Sequence, residues 1–359
     1  KDSWEIIHKE YQIKINEKEY TDFRRNLHRI PELKHQEKET QKFILDKIKT
    51  FRNYKKVKLV QVEPTGFWVD VFGEGEPLLS SSSTDPRDEN TDPIGIAFRS
   101  DMDALPLNEE TGAEYQSTHP GVAHSCGHDG HMTLLTCFLE YMLQRLDSVP
   151  RNYFLRFLYQ PAEEAGDGAK LMIRELCLRG IKEIYGIHNN AQSGVGYIGI
   201  KEGPVMASDD SFTIEITGKG GHGSMPHLCK SPITTGCEII KKLNQITSQQ
   251  IDCKDPSVVS IGFFEGGKAG NVIPETAVIK GTIRTLDEEA KTKIHSLINR
   301  ISKSIAECNA STAEVTIKMT GKVTDNDAEL TNNIVIPAVK KTGFVMGSGP
   351  LPTMTSEDY

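Results

Sequence analysis

Long apolar runs are absent from this 359-residue sequence, and none approaches the ~18–20 residues that a membrane-spanning helix requires. The sequence also lacks a block of basic residues, and 42 Lys and Arg against 50 Asp and Glu give a net charge of −8. A strongly basic patch is the usual signature of binding to nucleic acid or to an anionic membrane. We therefore expect neither partner.

The seven cysteines show no paired spacing and form no CxxC motif. Their odd number and scatter are typical of reduced thiols, which predicts a cytoplasmic location and argues against thiol redox catalysis. The chain opens with Lys1 rather than Met, so it carries no information on a targeting segment.

The first two hundred residues have the texture of an α/β domain. Residues 1–52 look helical, 57–72 have a strand pattern, and 78–93 form a Ser-, Asp- and Pro-rich stretch that predicts a solvated loop. Short apolar strands then alternate with helices, with strands at 94–98, 152–159 and 181–187 and helices at 132–146 and 168–178. This alternation predicts a mostly parallel sheet.

A second region, about 208–323, has a different pattern. Its strands are SFTIEIT, SVVSIGFFEG, AVIKGTIRT and AEVTIKMT, and its helices lie near 231–247 and 287–307. We interpret it as an α+β unit inserted into the α/β domain. The predicted organisation is a first part of the α/β domain at 1–207, an inserted domain at 208–323, and a second part of the α/β domain at 324–359.

Polar side chains follow the predicted parallel strands where ligands gather in such sheets. Asp101 and Asp103 follow the first strand, Glu163 and Glu164 the second, and His188 the third. Adjacent glutamates in a turn can point in different directions, so one carboxylate can bind a metal while the other acts as a general base. Taken singly, such residues more often have a solvated or structural role.

The densest cluster is HSCGHDGH at 124–131, which holds five side chains able to bind a metal or move a proton: His124, Cys126, His128, Asp129 and His131. Thiolate and imidazole suit zinc, and carboxylates extend the range towards manganese. The alternative is a hydrogen-bonded helix N-terminus with a buried Cys126.

A glycine-rich loop at 218–223 formally matches the GxGxxG motif of dinucleotide sites. Pro226 and Pro232 interrupt the helix that such a site needs, so we favour a loop that presents His222. Asn271 and Arg284 are polar residues in apolar settings, and Arg is the natural bidentate partner of a substrate carboxylate. A structural role remains the alternative for both.

Nine motifs follow one another along the chain. They are HSCGHDGH, SDMDALP, QPAEE, GIHN, GPVMAS, GKGGHGSMPH, GNVIP, GTIRT and TSEDY. As a set they resemble the dinuclear-metal amidohydrolases of the aminoacylase and carboxypeptidase-like metallopeptidase family. Within it, they are most similar to the branch that hydrolyses auxin (indole-3-acetyl-amino acid) conjugates, hippurate and N-acyl-L-amino acids. Residues 24–40 of this sequence also resemble the N-terminal helix signature of that branch.

The resemblance implies an α/β catalytic domain with a smaller inserted domain that serves as a lid or as a dimerisation domain, and in the second case the chain forms a homodimer through it. It implies hydrolysis of N-acyl-L-amino acids with one or two divalent ions, Mn²⁺ or Zn²⁺. The implied metal ligands are Cys126, His128, Glu164 and His188. Glu163 is the implied general base, with Asp103 and Asp101 orienting ligands, His222 stabilising the oxyanion, and Asn271 and Arg284 holding the substrate.

Members of this family continue past the SED motif to a final metal-binding histidine, whereas this sequence ends at Tyr359. The expectation is therefore a second catalytic part that is cut short. Two alternatives stay open: a non-catalytic relative that binds metal or a partner, and an aminopeptidase, dipeptidase or deacylase of the same family. Cys126, where those peptidases usually have an aspartate, argues against the second.

Overall fold

The computed structural model describes residues 15–73, 93–347, 349 and 351–359. The chain divides into two compact units. The first comprises Lys1–Val195 together with Asp358, and the second comprises Gly196–Glu357 together with Tyr359. Within the described residues, no helix is both long and apolar enough to cross a membrane.

The described part of the first unit contains a five-stranded sheet and four α-helices. The strands are β1 (Val57–Val62), β2 (Gly66–Phe72), β3 (Ile94–Asp101), β4 (Tyr153–Gln160) and β5 (Ile181–Gly186). The helices are α1 (Glu17–Arg29), α2 (Lys38–Lys49), α3 (His128–Leu143) and α4 (Gly168–Arg174). Single 3₁₀ turns lie at Tyr54–Lys56, Leu146–Ser148 and Glu163–Ala165.

The strand order of this sheet is β1-β2-β4-β3-β5. β3 runs parallel to both β4 and β5, and β2 is antiparallel to both β1 and β4. Four of the five strands therefore point the same way, which confirms the predicted α/β fold with a mostly parallel sheet.

Different clusters of apolar side chains cover the two faces of the sheet. Phe67, Val69 and Val71 of β2 belong to the larger core, which includes buried side chains of α1, α2 and α3. Trp68 points to the opposite face and packs with Met172 of α4. This alternation is the period of two expected for a strand that is buried on both sides.

The N-terminal segment differs from the prediction in two details. The helical pattern forms two helices, α1 and α2, because Pro31 has no N–H to continue the first one. The strand pattern at 57–72 forms a hairpin, with β1 and β2 joined by a turn at 63–65 that contains Pro64. The predicted N-terminal helix before residue 15, and all of the predicted 78–93 loop except Pro93, lie outside the described residues.

The described part of the second unit contains ten strands. They are β6 (Tyr197–Gly199), β7 (Gly203–Met206), β8 (Ser208–Thr217), β9 (Gly221–His222), β10 (Ser257–Gly266), β11 (Val272–Ile273), β12 (Thr276–Thr285), β13 (Thr312–Gly321), β14 (Thr324–Asn326) and β15 (Val345–Gly347). The helices are α5 (Pro232–Leu243), α6 (Ile246–Gln249), α7 (Glu288–Cys308), α8 (Ala328–Leu330) and α9 (Ile336–Thr342). A 3₁₀ turn at Pro226–Leu228 and a π turn at Thr331–Val335 complete it.

Four strands of this unit form an antiparallel sheet in the order β10-β12-β8-β13. Phe212, Ile214 and Ile216 of β8 alternate into a core shared with α5 and α7. Both helices begin at side-chain caps, since Ser231 accepts a hydrogen bond from Thr234 N–H and Asp287 accepts one from Ala290 N–H. The separate α+β layer is thus confirmed, while the domain boundaries at 207/208 and 323/324 stay predictions.

Candidate metal centre

The carboxyl ends of β3, β4 and β5 carry acidic and imidazole side chains at one edge of the first sheet. Asp101, the last residue of β3, is paired in register with Gln160, the last residue of β4. Asp103, Glu163 and His188 follow the three strand ends after two or three further residues. The parallel strand order therefore brings three distant sequence segments together.

A tight turn before α3 places Cys126 and His128 beside these strand ends. Gly127 between them has φ +91°, a conformation that L side chains rarely adopt. A Cβ on Gly127 would lie 1.9 Å from the side-chain nitrogen of Asn189, which leaves no room for one. The turn therefore requires glycine for both conformation and space.

The His128 imidazole is buried and has one uncommitted nitrogen. Its Nδ1 donates to the backbone carbonyl oxygen of Asp103 at 2.8 Å, which leaves the Nε2 lone pair exposed to the cluster. Nε2 lacks a hydrogen-bond partner among the described residues. It lies 3.6 Å from Asp101 Oδ2, 3.9 Å from Glu163 Oε2 and 4.0 Å from Glu164 Oε1.

The His188 imidazole is held in the same tautomer. Its Nδ1 donates to the backbone carbonyl oxygen of Asn189 at 2.6 Å, and its Nε2 lies 3.4 Å from Cys126 Sγ. Metal-binding histidines are commonly fixed in this way, with one nitrogen donating to a carbonyl and the other presented to the ion.

The side chains fit a metal site with two overlapping ligand groups. One group is Cys126, His128 and His188; the other is His128, Glu163 and Glu164. Within each group the ligand atoms all lie within 4.8 Å of one another. Sulfur, nitrogen and oxygen donors in this combination suit zinc or manganese. The bare, buried His128 Nε2, which both groups share, is the observation that supports a metal most directly.

Burial and charge act in opposite directions on the acidic groups of this cluster. Burial raises the pKa of Asp101, but His128, Arg99 and His131 outweigh it and hold the pKa below its ordinary value. Burial also raises the pKa of Glu164, where His128 offsets only part of the effect.

The pKa of His128 is shifted upwards by its anionic neighbours. Burial alone would lower this pKa, whereas Asp101, Asp103 and Cys126 raise it well above 6.5. The cluster thus attracts positive charge at its centre, whether that charge is a proton or a metal ion.

Buried groups around the cluster hold its members in place. The Asp103 carboxylate accepts hydrogen bonds from the backbone N–H groups of Glu163 and Glu164, at 3.0 Å each. His131 Nδ1 lies 2.7 Å from Asp101 Oδ1, and His131 Nε2 accepts a hydrogen bond from Asn189 N–H at 3.0 Å. These contacts connect the turn of Glu163 and Glu164 to Asp103, and connect Asn189 through His131 to Asp101 of β3.

Two further residues that the sequence places at strand ends, Arg99 and Asn189, contact the cluster, although no role was predicted for either. Arg99 donates to Asp101 Oδ2 at 3.0 Å and to Asp358 Oδ1 at 2.9 Å. Asn189 packs against the Gly127 turn. Asp358, the partner of Arg99, lies in the TSEDY motif, and this motif is the sequence signal that points to the contact.

Not every polar residue of the HSCGHDGH motif joins the cluster. Asp129 accepts hydrogen bonds from Arg24 and His28 of α1, at 3.0 Å each. His124 is buried, neither ring nitrogen has a hydrogen-bond partner among the described residues, and burial lowers its pKa to about 4. Asp129 therefore fits the structural alternative, a hydrogen-bonded helix N-terminus, whereas His124 makes no such hydrogen bond among the described residues.

The remaining predicted site residues lie in the second unit. His222 of β9 is paired in register with Val272 of β11, and Gly223 N–H donates to the Asn271 backbone carbonyl, so His222 and Asn271 lie in neighbouring segments. Arg284 is on β12 and forms an ion pair with Asp209. Their proposed contacts with substrate stay predictions.

A family model for "Peptidase family M20/M25/M40" matches residues 97–358. The chain belongs to this peptidase family. The predicted resemblance is thereby confirmed, and so is the expectation of a hydrolytic enzyme. The match includes every residue of the candidate metal centre.

Individual relatives in the family extend over most of the chain. An N-acetyl-L-cysteine deacetylase of Bacillus subtilis is 34% identical over 343 residues, covering 96% of this chain and 77% of the relative. An N-acyl-L-amino acid amidohydrolase of Geobacillus stearothermophilus is 35% identical over 293 residues, covering 81% and 74%.

A solved structure gives the same picture of the family fold. It is a Bacillus subtilis protein described as a dinuclear metal binding peptidase of the M20 family. It is 30% identical, has a TM-score of 0.76, and the match covers 95% of this chain and 84% of that one.

Proposed function

We propose that this M20 family enzyme hydrolyses the amide bond of N-acyl-L-amino acids, giving a carboxylic acid and a free amino acid. The buried, unpartnered Nε2 of His128, which faces carboxylates and adjoins the Cys126–His188 pair, carries the proposal. The names of the deacetylase and amidohydrolase relatives support the same substrate class.

Cys126, His128, Glu164 and His188 would hold one or two divalent ions, Mn²⁺ or Zn²⁺. Such ions, when bound, polarise the substrate carbonyl and lower the pKa of water. Glu163 and Glu164 both belong to the ligand group with His128, and Glu164 is the more exposed of the two.

Glu163 is the proposed general base. Water attacks the amide carbon while the Glu163 carboxylate takes its proton, and Glu163 then gives that proton to the departing amine nitrogen as the C–N bond breaks. His222 would stabilise the oxyanion, and Asn271 and Arg284 would bind the acyl-amino acid.

The test compares neighbouring glutamates in the metal-loaded protein. Glu163→Gln should abolish turnover with metal content unchanged, whereas Glu164→Gln and Cys126→Ser should lower metal content by elemental analysis. Substrates are N-acetyl, N-benzoyl and N-indoleacetyl amino acids, with dipeptides as the contrasting class. Full activity in Glu163→Gln would remove the base assignment, and faster cleavage of dipeptides would reassign the substrate class.

Homodimerisation through the 208–323 segment and a cytoplasmic location also stay predictions. Light scattering of the purified protein tests the first, and imaging of the tagged protein in its native cell tests the second.

A further inference from the structure

Glu37 is a fully buried carboxylate in the segment between α1 and α2. Its relative exposure is 0%, and each of its oxygens accepts at least one hydrogen bond. Oε1 accepts from the backbone N–H groups of His35 and Ala162, both at 2.9 Å, and Oε2 accepts from the Thr65 hydroxyl at 2.5 Å. The bond to Ala162 spans 125 residues of sequence.

The position of Glu37 suggests a local role that its side chain does not perform. Glu37 is the N-cap residue of α2, yet its side chain makes no capping hydrogen bond to that helix. Burying a carboxylate costs free energy unless its oxygens are satisfied, and burial raises the pKa of Glu37 despite its hydrogen bonds. Burial of this carboxylate therefore costs free energy, and helix capping does not account for its presence beside the Ala162 turn.

The turn that receives this hydrogen bond carries both glutamates of the candidate metal centre. Ala162 has φ +52°, in the left-handed region that residues other than glycine rarely adopt. The 3₁₀ turn Glu163–Ala165 begins at the next residue. Such a conformation persists only where the surrounding structure holds it.

Two buried carboxylates bind three successive backbone N–H groups of this turn. Glu37 binds the N–H of Ala162, and Asp103 binds those of Glu163 and Glu164. Successive backbone N–H groups of a turn bind anions, so the two carboxylates stabilise the turn in this conformation. Asp103 comes from a strand end inside the site, whereas Glu37 comes from the α1–α2 segment outside it.

We propose that Glu37 is a positioning residue, which fixes the Ala162 turn and thereby the directions in which Glu163 and Glu164 project. The inference rests on the proposed function, in which these glutamates serve as general base and metal ligand. Glu37 touches neither substrate nor metal, and it acts through the backbone of Ala162.

Three variants separate hydrogen-bond geometry from charge and from stability. Glu37→Ala removes the acceptor for Ala162 N–H. Glu37→Gln keeps an oxygen for both backbone N–H groups and can donate to the Thr65 hydroxyl. Glu37→Asp keeps the charge but withdraws the carboxylate, and it replaces Glu37→Ala should the alanine variant not fold. Asp70→Asn is the control for a loss of stability, because Asp70 forms a buried ion pair with Arg156.

Metal affinity is measured by titration of the metal-free protein with Co²⁺, followed by visible absorption, and turnover is measured with the N-acyl amino acid that the wild-type protein cleaves fastest. In Glu37→Ala we expect both Co²⁺ affinity and kcat to fall roughly 10- to 100-fold, as for other residues that orient metal ligands. KM should stay within about twofold, because substrate contacts are intact. Glu37→Asp should show a smaller loss, and Glu37→Gln should match the wild type. Asp70→Asn should lower the melting temperature with no change in Co²⁺ affinity.

Wild-type Co²⁺ affinity and kcat in Glu37→Ala, or in Glu37→Asp where that variant stands in, would overturn the inference. A Glu37→Gln variant as impaired as Glu37→Ala would also overturn it, because charge rather than geometry would then matter. Unchanged affinity in Glu37→Ala alongside weakened affinity in Glu164→Gln contradicts the inference alone. Absence of Co²⁺ binding by the wild-type chain contradicts the proposed function and the inference together.

Discussion

Asp103 contacts His128 through two of its oxygens. Its backbone carbonyl accepts a hydrogen bond from His128 Nδ1 at 2.8 Å, and its carboxylate Oδ1 lies 3.5 Å from the same nitrogen. The same carboxylate binds the N–H groups of Glu163 and Glu164. One residue, two positions beyond the end of β3, thus orients the imidazole and both glutamates of the candidate metal centre.

We therefore expect Asp103→Asn to weaken metal binding roughly 10- to 100-fold. The asparagine side chain has one acceptor oxygen, so one of the two N–H groups faces an NH₂ group instead. Isothermal titration with Zn²⁺ measures the effect. Asp46→Asn is the control, because Asp46 is exposed on α2 and forms ion pairs with Lys42 and Lys49 of the same helix. Equal affinity in the two variants would contradict the orienting role.

Gly127→Ala should disrupt the same centre from its other side. The new Cβ would overlap the Asn189 side chain, and φ +91° is strained for alanine. We expect Zn²⁺ affinity to fall, because Cys126 and His128 flank this residue. Gly130→Ala is the matched control. Gly130 lies in the first turn of α3, and a Cβ added there would be 3.8 Å from its nearest neighbour, Arg24 Nε. If both variants bind Zn²⁺ as the wild type does, the turn does not position the ligands.

The sequence patterns predicted local structure well where it depends on periodicity. The strand at 257–266 and the helix near 287–307 match β10 and α7 within a residue, because apolar periodicity is a local signal. The cluster of Cys126, His128 and the strand-end residues was also predictable, since parallel strands converge at one edge.

Contacts between distant segments were not predictable in the same way. Nothing near Glu37 in the sequence indicates that its carboxylate binds Ala162 N–H, because that contact depends on how α1 and α2 pack on the sheet. The split of the HSCGHDGH motif, with Asp129 bound to His28 rather than facing the cluster, likewise depends on the position of α1. Residue type alone did not distinguish Asp129 from a metal ligand.

The buried ion pair between Asp70 and Arg156 joins β2 and β4 and offers a test of stability in the first unit. Both side chains are almost fully buried, the two contacts are 2.6 and 2.8 Å, and Arg156 also donates to the Cys177 carbonyl. Asp70→Asn should lower the free energy of unfolding by about 3 kcal/mol, because it leaves a buried guanidinium without its counter-charge. Urea unfolding measures this loss.

Replacing both partners should cost less than replacing one. The double variant Asp70→Leu, Arg156→Met removes the charges together and is expected to retain more stability than Asp70→Asn, as buried pairs exchanged for apolar side chains often do. A double variant less stable than Asp70→Asn would show that the carbonyl contacts of Arg156, rather than the ion pair, carry the stabilisation.

The raised pKa of Glu37 predicts a pH dependence of stability with a definite sign. Burial raises this pKa above its ordinary value of 4.5, more than the hydrogen bonds from Thr65 and the backbone lower it. The folded protein therefore binds the proton more tightly than the unfolded chain does. As pH rises from 4.5 through the raised pKa, the wild-type protein loses stability that Glu37→Gln, which does not titrate, retains.

We expect the difference in free energy of unfolding, Glu37→Gln minus wild type, to increase between pH 4.5 and neutral pH and then to level off. Urea unfolding of the metal-free proteins across this range measures it, and metal-free protein avoids a contribution from ligand binding. Common titrations elsewhere cancel in the difference because the two chains are otherwise identical. A difference that falls with rising pH would mean that the hydrogen bonds to Glu37 stabilise its charged form by more than burial disfavours it.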